Sequence, residues 1–231
     1  MTRLSIIVPV LDEARTIEVC LEALQGLRQA GAEVVVVDGA SRDGTRGLAA
    51  SRADRVIDAP RGRASQMNAG ARASRGEILL FLHADTVLPP GALDAVLTGL
   101  EREEREWGRF DVAIAGADPL LALVALLMNA RSRATGIATG DQAIFVRRAA
   151  FEAVGRFPAI PLMEDVALSK ALKRRGAPLC LRSRVVTSGR RWERHGTLRT
   201  IVLMWRLRLA YALGADPHWL ARRYDAERSS S

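Results

Sequence analysis

The residues with the most chemical promise in this sequence follow an apolar run. Glu77-Ile78-Leu79-Leu80-Phe81-Leu82 has strand length and stops at His83-Ala84-Asp85-Thr86, the pattern of a buried parallel strand that delivers polar side chains at its carboxyl end. Alternation along the strand puts His83 and Asp85 on one side of the exit, where ligands of open α/β sheets collect. A carboxylate there can hold a divalent cation, and the cation can neutralise a diphosphate. Polar groups also follow the preceding strand-like runs: Asp12 and Glu13 after residues 4–10, Asp38 after residues 33–37, and the arginine-rich stretch 61–68 after residues 55–58. Acids after three strands with arginines between them fit a nucleotide. An acid would accept from base or ribose, arginine would contact phosphate, and Asp85 would hold a metal ion.

A regular alternation of elements must position these groups. Residues 4–10 read as a strand, and Asp12 can cap a helix whose apolar positions Ile17, Leu21, Leu24 and Leu27 have helical spacing. Residues 33–37 form a second buried strand, 46–52 a short helix, 55–58 a short strand, 61–70 the opening of another helix and 77–82 the fourth strand. This β-α-β-α-β-α-β order implies a parallel sheet with right-handed crossovers. Beyond it the pattern predicts a helix over 91–105, a strand over 107–112, an apolar helix over 119–131, and a strand over 142–146 approached through Thr139-Gly140-Asp141. A helix over 164–175 begins with Glu164-Asp165 and ends with bases, matching the helix dipole, and 179–187 is strand-like. Residues 197–214 are apolar but interrupted by Arg199, Arg206 and Arg208. Such a helix suits a membrane surface or, the favoured reading, packing on its own domain or on a second subunit. The tail from Arg228 is expected to be disordered.

A chain of 231 residues with 48% hydrophobic content can bury one substantial core. It contains no run of about 18 apolar residues, and a strand pattern from Leu4 leaves no place for a signal peptide, so a cytoplasmic location without stable membrane insertion is expected. Cys20 and Cys180 read as buried reduced thiols. The net charge is +8, and Lys170 and Lys173 are the only lysines among 34 basic residues. Planar arginine suits phosphate and carboxylate ligands, and a basic surface also attracts nucleic acid or anionic lipid. Only charge speaks for a nucleic-acid binder, and no such partner is expected.

In order along the chain, the motifs resemble those of the inverting family 2 glycosyltransferases, which have the GT-A fold. Val8-Pro9-Val10-Leu11-Asp12-Glu13 resembles their opening motif, residues 37–45 (VDGASRDGT) their uracil-binding turn, and His83-Ala84-Asp85 their metal-binding Asp-x-Asp. Met163-Glu164-Asp165 resembles the segment with the catalytic base, and Ser188-Gly189-Arg190-Arg191-Trp192 is similar to their Arg-Trp motif. A narrower resemblance, to the selenosugar synthases of selenoneine biosynthesis, rests on five stretches: 62–71 (GRASQMNAGA), 107–112 (WGRFDV), 139–142 (TGDQ), 161–165 (PLMED) and 187–193 (TSGRRWE).

The resemblance implies an α/β GT-A domain, Rossmann-like, with a mostly parallel sheet over residues 1–195; the C-terminal helices and disordered tail over 196–231 are expected from their own pattern to pack on it, and a homodimer can form through the C-terminal helix. It implies transfer of a sugar from a UDP-sugar, typically UDP-N-acetylglucosamine, to selenophosphate, giving a 1-selenosugar, UDP and phosphate with Mg²⁺ or Mn²⁺. The alternative is a family 2 enzyme with a lipid, thiol or hydroxyl acceptor. The implied nucleotide-sugar residues are Pro9, Glu13, Asp38, Arg63, Gln66, Asn68, His83, Ala84 and Asp85, with Asp85 the metal ligand. The implied catalytic residues are Glu164, Asp165, Arg190 and Arg191, and the acceptor residues Arg109, Asp141, Gln142, Arg191 and Trp192. Two departures stand out: His83 occupies an acid position, leaving one carboxylate for the metal, and Asp38-Gly39 replaces an acidic pair. A hydroxyl acceptor needs a base such as Asp165, whereas selenophosphate is already anionic and needs its repulsion from the diphosphate screened. Arg63, Arg109, Arg190 and Arg191 are expected to do this, Arg109 with Arg190 or Arg191 clamping the acceptor phosphate. Glu164 or Asp165 would serve hydrolysis of the Se–P bond.

Overall fold

A computed structural model describes residues 3–229; for Arg191, His195 and residues 227–229 it describes the backbone alone. The order is β1 (Leu4–Val10), α1 (Ile17–Ala23), α2 (Gln25–Gln29), β2 (Glu33–Asp38), α3 (Thr45–Ala50), β3 (Arg55–Asp58), α4 (Arg63–Ala73), β4 (Ile78–Phe81) and β5 (Thr86–Val87). There follow α5 (Ala92–Arg102), β6 (Trp107–Ala115), α6 (Leu120–Thr135), a 3-10 turn (Gly140–Gln142), β7 (Phe145–Arg147), α7 (Arg148–Ala153) and α8 (Glu164–Lys173). The chain ends with β8 (Leu179–Ser188), α9 (Arg190–His195), α10 (Thr197–Ala212) and α11 (Pro217–Ser229).

One sheet runs β3-β2-β1-β4-β7-β6-β8-β5. Strands β1 to β4 pair in parallel, as their alternation with helices predicts, whereas β7 joins β4 and β6 antiparallel and β6 and β8 are again parallel. Successive residues of β1 and β2 feed two cores on opposite faces: Ile6, Val34 and Val36 on one, Ile7, Val35 and Val37 on the other. Burial on both faces is why these strands read as continuous apolar runs rather than alternating ones. Helix α4 lies close on the second face because Gly70 has no side chain; a Cβ there would sit 2.4 Å from Ile7 Cγ2 and 2.9 Å from Val37 Cγ2. Helices α10 and α11 pack Leu207, Leu220 and Tyr224 against Met163 and Val166 at the start of α8.

Several expectations are corrected. Asp12 does not cap a helix: its backbone is left-handed (φ 55°), and α1 begins at Ile17 after a turn in which Thr16 and Ile17 N–H donate to the Glu13 carbonyl. The single helix expected through Leu27 is two short ones meeting at Leu24. Gln142 is not in a strand; it closes a capping box with Thr139, and Ala143 then turns left-handed before β7. Cys180 is partly exposed on β8, and both cysteines are free. The tail expected to be disordered from Arg228 is helical through Ser229, with Ser230 and Ser231 outside the described residues. Among the described residues no helix is long and apolar enough to cross a membrane.

Candidate active site

The loops after β1 and β2 are stitched together by their own polar side chains. Asp12 N–H donates to Ser41 Oγ (2.9 Å), Arg42 N–H to Asp12 Oδ1 (2.8 Å), Glu13 N–H to Thr45 Oγ1 (2.8 Å) and Ala14 N–H to Asp43 Oδ2 (2.8 Å). Asp38 is buried and accepts from both the N–H and the hydroxyl of Ser41. Gln66 is also buried. Its amide donates to the carbonyls of Val10 (2.7 Å) and Val37 (2.9 Å), and Gly39 leaves room for it, since a Cβ there would lie 3.0 Å from Gln66 Cδ. Asn68 spends its amide on Phe157, donating to its carbonyl (2.9 Å) and accepting from its N–H (3.1 Å). Gln66 and Asn68 therefore fix the backbone that borders the site. Pro9 sits within the β1–β2 ladder and Ala84 is buried.

At the exit of β4 a charged corner forms. Arg190 Nη2 lies 3.7 Å from Glu13 Oε2 and 3.9 Å from Asp85 Oδ2, and all three side chains are partly exposed. Cys20 lies under this corner; burial, with Asp85 and Glu13 nearby, pushes its thiol up to about 12, which leaves it a protonated, inert core residue. Asp85 offers hard oxygen to a cation. Among the described residues no cluster of three ligating side chains forms, so other oxygens must complete a coordination sphere, as suits a hard ion shared with a diphosphate.

Beyond Asp85 opens a cavity of about 580 Å³. Its polar side carries Arg63, His83, Asp85, Asp141, Glu164 and Asp165; Trp192 lines it too, and helices α6 and α10 supply apolar walls including Met128, Ile201 and Met204. Met163, left-handed at φ 70°, turns the chain so that Glu164 and Asp165 occupy the first turn of α8. Such backbone in a non-glycine residue persists only where packing enforces it, and Met163 is buried. Asp165 accepts from Gly140 N–H (2.8 Å) and Val166 N–H (2.7 Å), and His83 Nδ1 lies 3.3 Å from Asp141 Oδ1. Glu164 is buried, 4.0 Å from Arg63 Nη1. Burial, together with the charge of Asp165, pushes its carboxyl up to about 7 against the pull of Arg63. A group poised there gains or loses a proton near neutrality, the property of a general acid or base.

Arg109 is a correction. It is fully buried, paired with Asp111, and donates to the carbonyls of Phe110 (3.2 Å) and Asn129 (3.3 Å), while Arg133 reaches the other oxygen of Asp111. It is not part of the cavity lining and has no exposed surface to offer an acceptor; the inward alternation of β6 sends it into the core. Gln142 is fully buried, its Nε2 donating to Asn129 Oδ1 (3.3 Å). The side chain of Arg191 lies outside the described residues. Sequence reasoning missed Arg131 on α6 and Arg208 on α10, both in the cavity wall. Their one signal was an arginine set in an otherwise apolar helix.

Solved structures share this fold. TarS of S. aureus in complex with UDP-GlcNAc superposes with TM-score 0.64 at 17% identity, covering 80% of this chain and 58% of that one. The mannosyltransferase PcManGT from Pyrobaculum calidifontis, in complex with GDP-Man and Mn²⁺, superposes with TM-score 0.65 at 24% identity, covering 90% and 61%. Glucosyl-3-phosphoglycerate synthase from Mycobacterium tuberculosis, in complex with Mn²⁺, UDP and glucosyl-3-phosphoglycerate, gives 0.59 at 19% identity, covering 80% and 71%. The chain thus spans about three-fifths of the length of the first two, and its fold is GT-A. Comparison with curated proteins gives no significant match. The family model described as glycosyl transferase family 2 matches residues 5–120, half of the sequence, and the chain belongs to that family.

Proposed function

We propose that the protein transfers a sugar from a UDP-sugar, UDP-N-acetylglucosamine by its motif resemblance, to selenophosphate, releasing UDP and phosphate and leaving a 1-selenosugar. The observation that carries this reading is the buried Glu164, poised near neutrality beside Arg63 in the same cavity as Asp85. The glucosyl-3-phosphoglycerate bound by one structural neighbour is a phosphorylated product, in keeping with an anionic acceptor on this fold. Selenium attacks the anomeric carbon and the C–O bonding pair leaves on the β-phosphate of UDP. Water then attacks phosphorus, its oxygen staying with phosphate and the Se–P pair remaining on selenium, which takes up a proton. Transfer itself needs no base, and Glu164 takes the proton of the attacking water or returns one to selenium. Arg190 and Arg63 offset the negative charge gathered by donor and acceptor. Asp85 would hold Mg²⁺ or Mn²⁺, which supplies charge neutralisation on the leaving diphosphate.

A second reading, a family 2 transferase with a lipid acceptor, is favoured by the apolar walls from α6 and α10, where Leu126, Val202 and Trp205 remain exposed. Incubation with UDP-sugars and either selenophosphate, thiophosphate or phosphate, followed by mass spectrometry, separates the two. A 1-selenosugar supports the proposal. Transfer to an isoprenoid phosphate or other lipid, with selenophosphate inert, would replace it with the second reading.

A further inference from the structure

Two half-buried arginines line the cavity wall, and one of them lacks a full set of partners. Arg131 on α6 makes one long hydrogen bond, Nη1 to the Ile137 carbonyl at 3.4 Å, and its buried Nη2 has no hydrogen-bond partner. Arg208 on α10 lines the same cavity. Burial, with the charge of Arg208, lowers Arg131 to about 10, which leaves it a cation at neutral pH, and burial lowers Arg208 too. Both share that cavity with Asp165 and Asp141, and of these acids Asp165 acts on both guanidiniums and Asp141 on Arg208. The pair therefore belongs with Asp165 in the wall of this cavity. Two partly buried like charges on one cavity wall, with apolar walls around them, are satisfied together by one multi-oxygen anion.

We propose that Arg131 and Arg208 form an oxyanion subsite that holds the phosphate group of the acceptor, the clamp that Arg109 cannot provide. The proposal rests on the anionic-acceptor reading above. It also explains how a cavity with four acids admits an anion: the acceptor enters against the arginine wall of α6 and α10, and its nucleophilic atom is directed toward the donor.

The test is calorimetric titration of the whole protein with thiophosphate and, separately, with UDP in the presence of Mn²⁺, for the wild type, Arg131→Met, Arg131→Lys and Arg208→Gln. Each neutral variant should bind thiophosphate about 10–100-fold more weakly, the loss of a charge-assisted hydrogen bond, with UDP affinity unchanged. Arg131→Lys should restore part of the loss. Unchanged thiophosphate affinity would overturn the subsite, leaving the arginines as counter-charges of Asp165; equal losses for UDP would also overturn it by assigning them to the donor. If Arg131→Met does not fold, Arg208→Gln, on a partly exposed residue, decides alone. Binding needs no turnover, so thiophosphate held at the arginines with no selenosugar formed would sustain the subsite and end the transfer reading. Selenosugar formed by the variants with unchanged selenophosphate KM would do the reverse.

Discussion

The backbone N–H of Gly140 donates to Asp165 Oδ2 at 2.8 Å, tying the turn that carries Asp141 to the first turn of α8. The other side of Gly140 packs on His83: a Cβ would lie 2.6 Å from Nε2 and 2.7 Å from Cε1 of its ring. Gly140 therefore sets the spacing between the β4 exit and the acid pair. Gly140→Ala must push the ring or the turn aside. We expect about 1–3 kcal/mol of lost stability in urea denaturation and a fall of about 100-fold in kcat/KM from a misplaced acid pair.

Glu164 gives the protein a pH signature. Below about pH 4.5 the group is protonated folded and unfolded, so it has no effect. Between that value and about 7 the native state keeps a proton that the unfolded chain has lost, so stability falls as pH rises, then levels off above 7. The full drop is on the order of 3 kcal/mol, at about 1.4 kcal/mol per pKa unit. Glu164→Gln should remove this slope and be the more stable protein at pH 8, while losing hydrolysis of the Se–P bond. Denaturation midpoints of both proteins across pH 5 to 8 check the first outcome, and accumulation of a phosphorylated selenosugar checks the second.

Asp111 holds two arginines, one of them fully buried. Asp111→Asn leaves the charge of Arg109 uncompensated in the core and should cost about 3–5 kcal/mol. Arg109→Met should lower stability while the KM for selenophosphate stays at the wild-type value. A selective rise in that KM would return Arg109 to the acceptor site.

How much of this was legible in the sequence depended on how local each signal was. Strands β1, β2 and β4 announced themselves because both faces are buried, and His83 and Asp85 followed from their place at a strand exit. The acid pair at Glu164 was visible as a helix start. Arg109 was misassigned because a motif position does not say which face of β6 a side chain takes, and that is set by pairing with β8 and by α6 above it. Gln66 and Asn68 sit in a helix opening that borders the site, yet their amides serve the carbonyls of Val10, Val37 and Phe157, partners remote in sequence. Arg131 and Arg208 showed only as arginines in apolar helices, because they come to line one cavity only when α10 folds back beside α6.

The corner at Asp85 predicts a metal dependence of binding. Asp85→Asn should abolish the gain in UDP affinity that Mn²⁺ confers, and Arg190→Met should weaken UDP with or without the ion, by about 10-fold for one charge-assisted contact. Calorimetry with and without Mn²⁺ distinguishes the two roles; an Asp85→Asn protein that still responds to the ion would move the metal elsewhere.

Phosphorus NMR of a single reaction containing UDP-N-acetylglucosamine, selenophosphate and Mg²⁺ tests the central claim most directly. The proposed chemistry predicts that selenophosphate disappears while UDP and inorganic phosphate grow in equal amounts, with Glu164→Gln releasing UDP ahead of phosphate. UDP released while selenophosphate remains intact would contradict it.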